Sequence, residues 1–339
     1  AVVLEDGRIH HDTTMQDLVS HRDYLREHGL DFTFRLSCCQ DHGSGHNHHQ
    51  GQDHAPEPHH RADIAVASVS PPPVGRLDTD AVIWIDDYAY RYADGTWGIR
   101  DVRLAIAEGD SIAIVGQNGA GKSTLVSCIA GIFEGRGTYL FDGKLITGKA
   151  RKGLWREIGI TFQDPADQLF SPSCREEVAF GPRQQGLSPS EIQARVEESL
   201  ARVRLSGFED RVPHHLSAGE RKRVALASVL AMRPRVIILD EPTANLDPQS
   251  ELLLCEILQE LDVTKILISH DIDIIALLCD RSVVMHQGRI IRDYPTTEFM
   301  RDEHLVSING LDYTFKNACC REIQRLQRQA SATLPLFHP

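Results

Sequence analysis

The chain has 339 residues, of which 41% are hydrophobic and 25% charged, and 36 Lys and Arg stand against 48 Asp and Glu for a formal net charge of −12. That composition excludes disorder throughout, gives a length prior of about two domains, and disfavours a protein whose main work is wrapping nucleic-acid phosphates. No stretch approaches the roughly 18 uninterrupted apolar residues of a spanning helix and no basic-then-apolar secretion leader opens the sequence, so a soluble chain with its eight cysteines reduced inside a cell is expected.

Residues 1–39 carry a gapless resemblance to 282–320 at one constant offset. VVLEDGRIHHD pairs with VVMHQGRIIRD, and GLDFTFRLSCC with GLDYTFKNACC. Short apolar strings can match by chance, but shared Gly-Arg-Ile, Gly-Leu-Asp, Thr-Phe and Cys-Cys in one register read as a duplication. The sequence starts at Ala1 without an initiator methionine. The expectation is therefore the second half of a duplicated protein, with 1–40 the C-terminal tail of a preceding copy.

The composition breaks after Cys39. Residues 41–80 are crowded with His, Gly, Gln and Pro and lack periodic apolar patterning, so they read as a linker. His42, His46, His48, His49, His54, His59 and His60 could bind Ni²⁺, Co²⁺ or Zn²⁺, or form a plain solvated spacer. Cys38-Cys39 and Cys319-Cys320 take equivalent places in the two copies; packing in a C-terminal tail is the favoured reading, with metal binding or a place near the membrane as alternatives. A C-terminal tail is expected over 301–339.

From residue 81 onward, strand-like runs at 81–85, 111–115, 158–162, 236–239 and 265–269 alternate with helical patterns, which predicts a parallel α/β sheet. Between Asp164 and Pro234 the strand signals give way to helix signals. Ser188 can cap with Glu191, Pro189 fills the first turn, and Ile192, Val196, Leu200 and Val203 form one apolar stripe. A helical subdomain is expected over about 164–235, inside an 81–300 domain. Cys128, Cys174, Cys255 and Cys279 fall in helical contexts and read as small buried hydrophobes.

Gly116-Gln117-Asn118-Gly119-Ala120-Gly121-Lys122-Ser123 follows the 111–115 strand and precedes an apolar helix at 124–130. This is the strand, GxxxxGK[ST], helix order of a P-loop. Gly116, Gly119 and Gly121 let backbone N–H groups curl around phosphate oxygens together with Asn118 and Thr124. The helix presents its positive end, Lys122 supplies a point charge, and the Ser123 hydroxyl can bind Mg²⁺. Val236 to Glu241 is a buried-strand pattern ending in two carboxylates. By itself it is an ordinary strand end; beside a P-loop, Asp240 reads as a Mg²⁺ holder and Glu241 as the general base that orients the attacking water.

Leu216-Ser217-Ala218-Gly219-Glu220, followed by Arg221-Lys222-Arg223, resembles the LSGGQ signature of ATP-binding cassette (ABC) ATPases, with Ala218 and Glu220 as mild departures. Ser217 and Glu220 form a capping box for a helix through Val224, Ala227 and Leu230. The resemblance implies that this helix end completes the ATP site of a second ATPase domain. It further implies that Gln163 is the Q-loop glutamine and a Mg²⁺ ligand, Ala244-Asn245-Leu246-Asp247 the D-loop, His270 the γ-phosphate-sensing switch histidine, and Tyr92 the aromatic that stacks on adenine. Tyr88 and Tyr90 read as core or edge residues.

Thr161-Phe162-Gln163-Asp164-Pro165-Ala166-Asp167-Gln168-Leu169-Phe170 looks like the hallmark of energy-coupling-factor (ECF) ATPases, including the cobalt-transport CbiO type. The runs 175–182 and 224–232 continue the likeness. The resemblance implies a P-loop NTPase α/β core with an inserted helical subdomain, ATP and Mg²⁺ as ligands, and ATP hydrolysis at the cytoplasmic membrane face. It implies a second ATPase domain, an integral membrane coupling protein and a substrate-binding membrane component as partners, no nucleic acid, and a vitamin or transition-metal ion as cargo. A soluble ABC ATPase acting on ribosomes or nucleic acid is the alternative.

Overall fold

A computed structural model describes residues 2–5, 8–12 and 81–302. The His-rich linker, both Cys-Cys pairs and the C-terminal tail from residue 303 onward lie outside the described residues. At the start of the chain, β1 (Val2–Glu5) and β2 (Arg8–Asp12) pair antiparallel.

In the main body, β3 (Ala81–Arg91) and β4 (Trp97–Ala107) join β6 (Arg136–Phe141) and β7 (Lys144–Leu145) in an antiparallel sheet ordered β4-β3-β6-β7. The six-stranded sheet is ordered β12-β11-β5-β10-β9-β8. Its members are β5 (Ser111–Val115), β8 (Ile158–Thr161), β9 (Val236–Asp240), β10 (Thr264–Ile268), β11 (Arg281–His286) and β12 (Arg289–Pro295). Five of these strands run parallel and β12 turns back antiparallel on β11.

This corrects one expectation. The 81–85 run is not a strand of the parallel sheet but the start of an eleven-residue strand in the second, antiparallel sheet. Its near-continuous apolar run mimics a doubly covered parallel strand, because Val82, Ile83 and Ile85 are buried.

The parallel strands are covered on both faces, and the two-residue period of a strand decides which side chain goes where. Ile112 and Ile114 of β5 join Ile238, Ile266 and Ile268 in a core shared with the antiparallel sheet and with α1 (Lys122–Ile129). Ala113 and Val115 point the other way, with Ile237, Leu239 and Leu267, into a core built by helices.

After the short α2 (Gly148–Arg151), three helices lie between β8 and β9: α3 (Cys174–Gln184), α4 (Pro189–Arg202) and α5 (Ala218–Leu230). The capping boxes read from the sequence are formed at Ser188 with Glu191 and at Ser217 with Glu220, each worth about 1 kcal/mol of helix stability. Val196, Leu200 and Val203 are buried and Ile192 packs partly against the same core. The chain then runs through α6 (Pro248–Glu260), α7 (Ile272–Leu278) and α8 (Thr296–Phe299). Among the described residues no helix is long and apolar enough to cross a membrane. Cys128, Cys174, Cys255 and Cys279 are all buried.

Candidate active site

The P-loop links β5 to α1 and is clamped from two sides. Gly288, in the turn between β11 and β12, donates its N–H to the Ala120 carbonyl at 2.9 Å and accepts from the Arg100 N–H of β4 at 2.8 Å. The glycines answer this crowding. A Cβ on Gly116 would stand 2.4 Å from the Met285 carbonyl oxygen, and one on Gly121, whose φ is +102°, 2.6 Å from that of Gly98. Gly119, at φ +79°, faces open space, so its demand is backbone conformation alone. Asn118, Gly119 and Ser123 are exposed and Thr124 is buried.

Lys122 folds back over the loop, its Nζ donating to the carbonyls of Gly116 at 2.8 Å and Gln117 at 3.0 Å. Burial lowers its pKa, against the pull of Glu241 and Asp240. Asp240, half-buried at the end of β9, is held above the usual carboxylate range by burial and then by the adjacent Glu241, against Lys122 and Lys222. The Ser123 hydroxyl, the Gln163 amide carbonyl and the Asp240 carboxylate each offer an oxygen donor, the ligand chemistry that fits a hard divalent cation such as Mg²⁺.

Glu241 follows directly, with its N–H donating to the Ile268 carbonyl of β10 at 2.9 Å. Its φ is +44°, a left-handed conformation that a residue with a Cβ adopts at a cost of about 1–2 kcal/mol. His270, two residues past β10, puts Nδ1 2.8 Å from Glu241 Oε1. The carboxylate is 14% exposed and the imidazole 71% exposed. The parallel pairing of β9 with β10 is what brings these residues together from 29 positions apart.

Tyr92 closes the other end, at the turn between β3 and β4. Its hydroxyl lies 2.7 Å from Thr124 Oγ1. Its ring stands edge-on to Tyr90 and Phe133, which stack face to face with centroids 4.7 Å apart. Tyr88 is buried, its hydroxyl accepting from the Gly135 N–H.

Gln163 is exposed in the loop after β8. The signature end of α5 does not bond to the P-loop of its own chain: Ser217 and Glu220 bond to each other. Gly219 packs so tightly on the start of α6 that a Cβ there would meet Ser250 Oγ at 2.6 Å. Ala218 is exposed, which explains why a methyl is accepted at one of these positions and not at the next. Asp247 caps α6, its side chain accepting from the Ser250 N–H at 2.9 Å.

The family model described as "ABC transporter" matches residues 99–244. Over 231 residues the chain is 42% identical to the energy-coupling factor transporter ATP-binding protein EcfA of Methanothermobacter thermautotrophicus, covering 66% of this chain and 74% of that protein. The chain belongs to the ABC transporter ATPase family. This ABC ATPase is also similar to CbiO1 of Clostridium perfringens, a part of the ABC transporter complex cbiONQ. The two are 38% identical with a TM-score of 0.62, covering 71% of this chain and 99% of that one. A dimeric ATP-binding cassette, MJ0796, solved in a post-hydrolysis state with ADP and Pi, is 25% identical with a TM-score of 0.57 over 63% of this chain and 98% of its own. The expected ABC core with an inserted helical subdomain, and ATP hydrolysis as its activity, stand on these likenesses.

Several residues that build the ABC ATPase site carried no sequence signal as such. Gly98 of β4 and Gly288 of the β11–β12 turn press on the P-loop from parts of the chain distant in sequence. Gln168 accepts from the Phe162 N–H at 3.3 Å and donates to the Ala225 carbonyl at 2.9 Å and to Ser228 Oγ at 3.1 Å, strapping the Q-loop to α5. Glu177, 3% exposed, accepts the N–H groups of Phe170 and Ser171 at 2.9 and 2.8 Å. The hallmark segment at 161–170 contains both Gln168 and Phe170, so it could have pointed to this strap.

Proposed function

We propose that this ABC ATPase is the motor subunit of an ECF-type membrane importer, peripheral on the cytoplasmic face, that energises uptake of a vitamin or transition-metal ion. The observation that carries this reading is the surface of the 161–170 segment. Phe162 is 44% exposed and Phe170 65% exposed, and Phe170 meets Phe180, 45% exposed, edge to face at 5.1 Å. Exposed aromatics grouped beside a catalytic loop are the kind of feature that protein partners cover. The likeness to EcfA and to CbiO1 of the cbiONQ complex supports an integral membrane coupling protein and a substrate-binding membrane component as those partners.

In the reaction, Lys122 and the N-terminus of α1 hold the β and γ phosphates, Tyr92 stacks on adenine, and Glu241 takes the proton of the attacking water with His270 orienting its carboxylate. Ser123, Gln163 and Asp240 would hold Mg²⁺, which supplies charge neutralisation at the transferring phosphoryl group. The signature residues Ser217, Ala218, Gly219 and Glu220, with Asp247, act on the ATP of a second ATPase domain.

That second domain is a copy in the same polypeptide. Supporting this, β1 and β2 pair Val2 with Asp12, Val3 with His11, Leu4 with Ile9 and Glu5 with Arg8, with a register break between Val3 and Leu4. At an offset of 281, β11 and β12 pair Val283 with Asp293, Val284 with Arg292, Met285 with Ile290 and His286 with Arg289, with the break at the corresponding step. On this reading residues 1–40 end one copy, 41–80 link the two, 81–300 form the second copy with its helical subdomain at about 164–235, and 301–339 form its tail.

Affinity purification of the native protein from detergent-solubilised membranes, with mass-spectrometric identification of stoichiometric partners, tests the importer. Two integral membrane partners are expected. Recovery only with ribosomes, nucleic acid or soluble proteins would leave the ATPase intact and overturn the transporter.

A further inference from the structure

We propose that Lys222 is a positioning residue for ATP hydrolysis: it holds the main chain of Glu241 so that the carboxylate faces the attacking water. The inference rests on Glu241 being the general base, and goes beyond it by assigning a residue from the helical subdomain to the same step.

Lys222 lies in the second turn of α5, five residues past its cap Ser217. Its side chain is 8% exposed, a rare state for a lysine, which is buried almost only when its ammonium has a partner. The partner here is a main-chain group, because Nζ donates to the Glu241 carbonyl oxygen at 3.0 Å. With Phe162, Pro165, Leu239, Pro242 and Leu254, Lys222 lines one narrow cleft. Burial pulls its pKa down to about 8, while Glu241, Asp164 and Asp240 pull it up.

The Glu241 backbone needs an external hold for two reasons. Its φ of +44° is left-handed, which costs a side-chain-bearing residue free energy. It also precedes Pro242, and a residue before proline is pushed towards extended conformations. Three bonds oppose relaxation: the Glu241 N–H to Ile268, and onto its carbonyl both the Ala244 N–H at 3.1 Å and Lys222 Nζ. Of these, Lys222 alone comes from the helical subdomain. It stands on the helix whose N-terminus carries the signature and to which Gln168 straps the Q-loop. One rigid helix therefore joins the signature, the Q-loop and the peptide that aims the base.

The test is steady-state ATP hydrolysis and ATP binding by the full-length protein and by K222M, K222L, E241Q and the K222M/E241Q double variant, with thermal unfolding of each. Methionine keeps the approximate length and apolar stem of lysine and removes the donor; leucine, shorter but apolar, also removes the donor if methionine does not fold. The expected result is a fall in kcat of about 10–100-fold with KM for ATP changed less than about threefold. The double variant is expected to be no slower than E241Q, as for residues acting on one step. Parental kcat in K222M and K222L while E241Q is inactive overturns the role of Lys222 alone. Equal loss of kcat and ATP affinity, with lowered thermal stability, overturns it in favour of a purely structural lysine. Parental turnover in E241Q overturns the base itself, and the positioning role with it.

Discussion

The Nδ1 atom of His270 stands 2.8 Å from Oε1 of Glu241, joining two residues 29 positions apart in the sequence that follow the ends of two parallel strands. A carboxylate at 14% exposure gains direction from an imidazole at 71% exposure that can also face a phosphate. His270→Ala is expected to lower kcat by about 10–1,000-fold with little change in ATP affinity, read by steady-state kinetics beside nucleotide binding. Parental kcat would remove His270 from the reaction.

Gly219 sits where a Cβ would approach Ser250 Oγ to 2.6 Å and its Cβ to 2.8 Å. Gly219→Ala therefore forces the signature turn away from α6, at a cost of about 1–3 kcal/mol. Adding Ser250→Gly is expected to return most of that stability in denaturant unfolding. No recovery in the double variant would show that the clash lies elsewhere.

Glu177 is a buried carboxylate whose task is to accept two main-chain N–H groups, at Phe170 and Ser171. Glu177→Ala leaves both amides without that partner, an expected loss of about 1–3 kcal/mol, and frees the loop that presents Phe170. Capture of membrane partners is expected to weaken while ATP affinity holds. Unchanged capture would separate this loop from partner binding.

Burial pushes the thiols of Cys128 and Cys279 up to about 12, and that of Cys174 up to about 11, burial again leading over its neighbours' charges. Thiolate is the reactive form, and at pH 8 a thiol with a pKa of 12 is ionised in about one molecule in ten thousand. In the folded protein these three cysteines are expected to resist iodoacetamide at pH 8 and to react fully in denaturant. Rapid labelling of any of them under native conditions would contradict the packing described for it.

What could be read along the chain was local. The P-loop, the boundaries of β5 and the capping boxes at Ser188 and Ser217 depend on residues within a few positions of one another. The antiparallel sheet was missed because β3 and β4 are bent by left-handed Asp87 and Asp101 and by several register shifts, which break the two-residue alternation that marks a strand. Gly98 and Gly288 look like ordinary turn or strand glycines until β4 and the β11–β12 turn close on the P-loop. Lys222 reads as one charge in an Arg-Lys-Arg run: Arg221 and Arg223 are part-buried and bond to the carbonyls of Leu216, Val203 and Arg204 inside the helical subdomain, whereas Lys222 reaches Glu241 at the end of β9.

Parallel measurement of ATP binding and ATP hydrolysis by the parent and by Glu241→Gln addresses the account most directly. The expected outcome is ATP affinity within about threefold of the parent with turnover reduced at least about 100-fold, because the amide keeps the shape of the side chain and cannot take a proton. Turnover near the parental rate would contradict Glu241 as the base and, with it, the site assembled around the ends of β9 and β10.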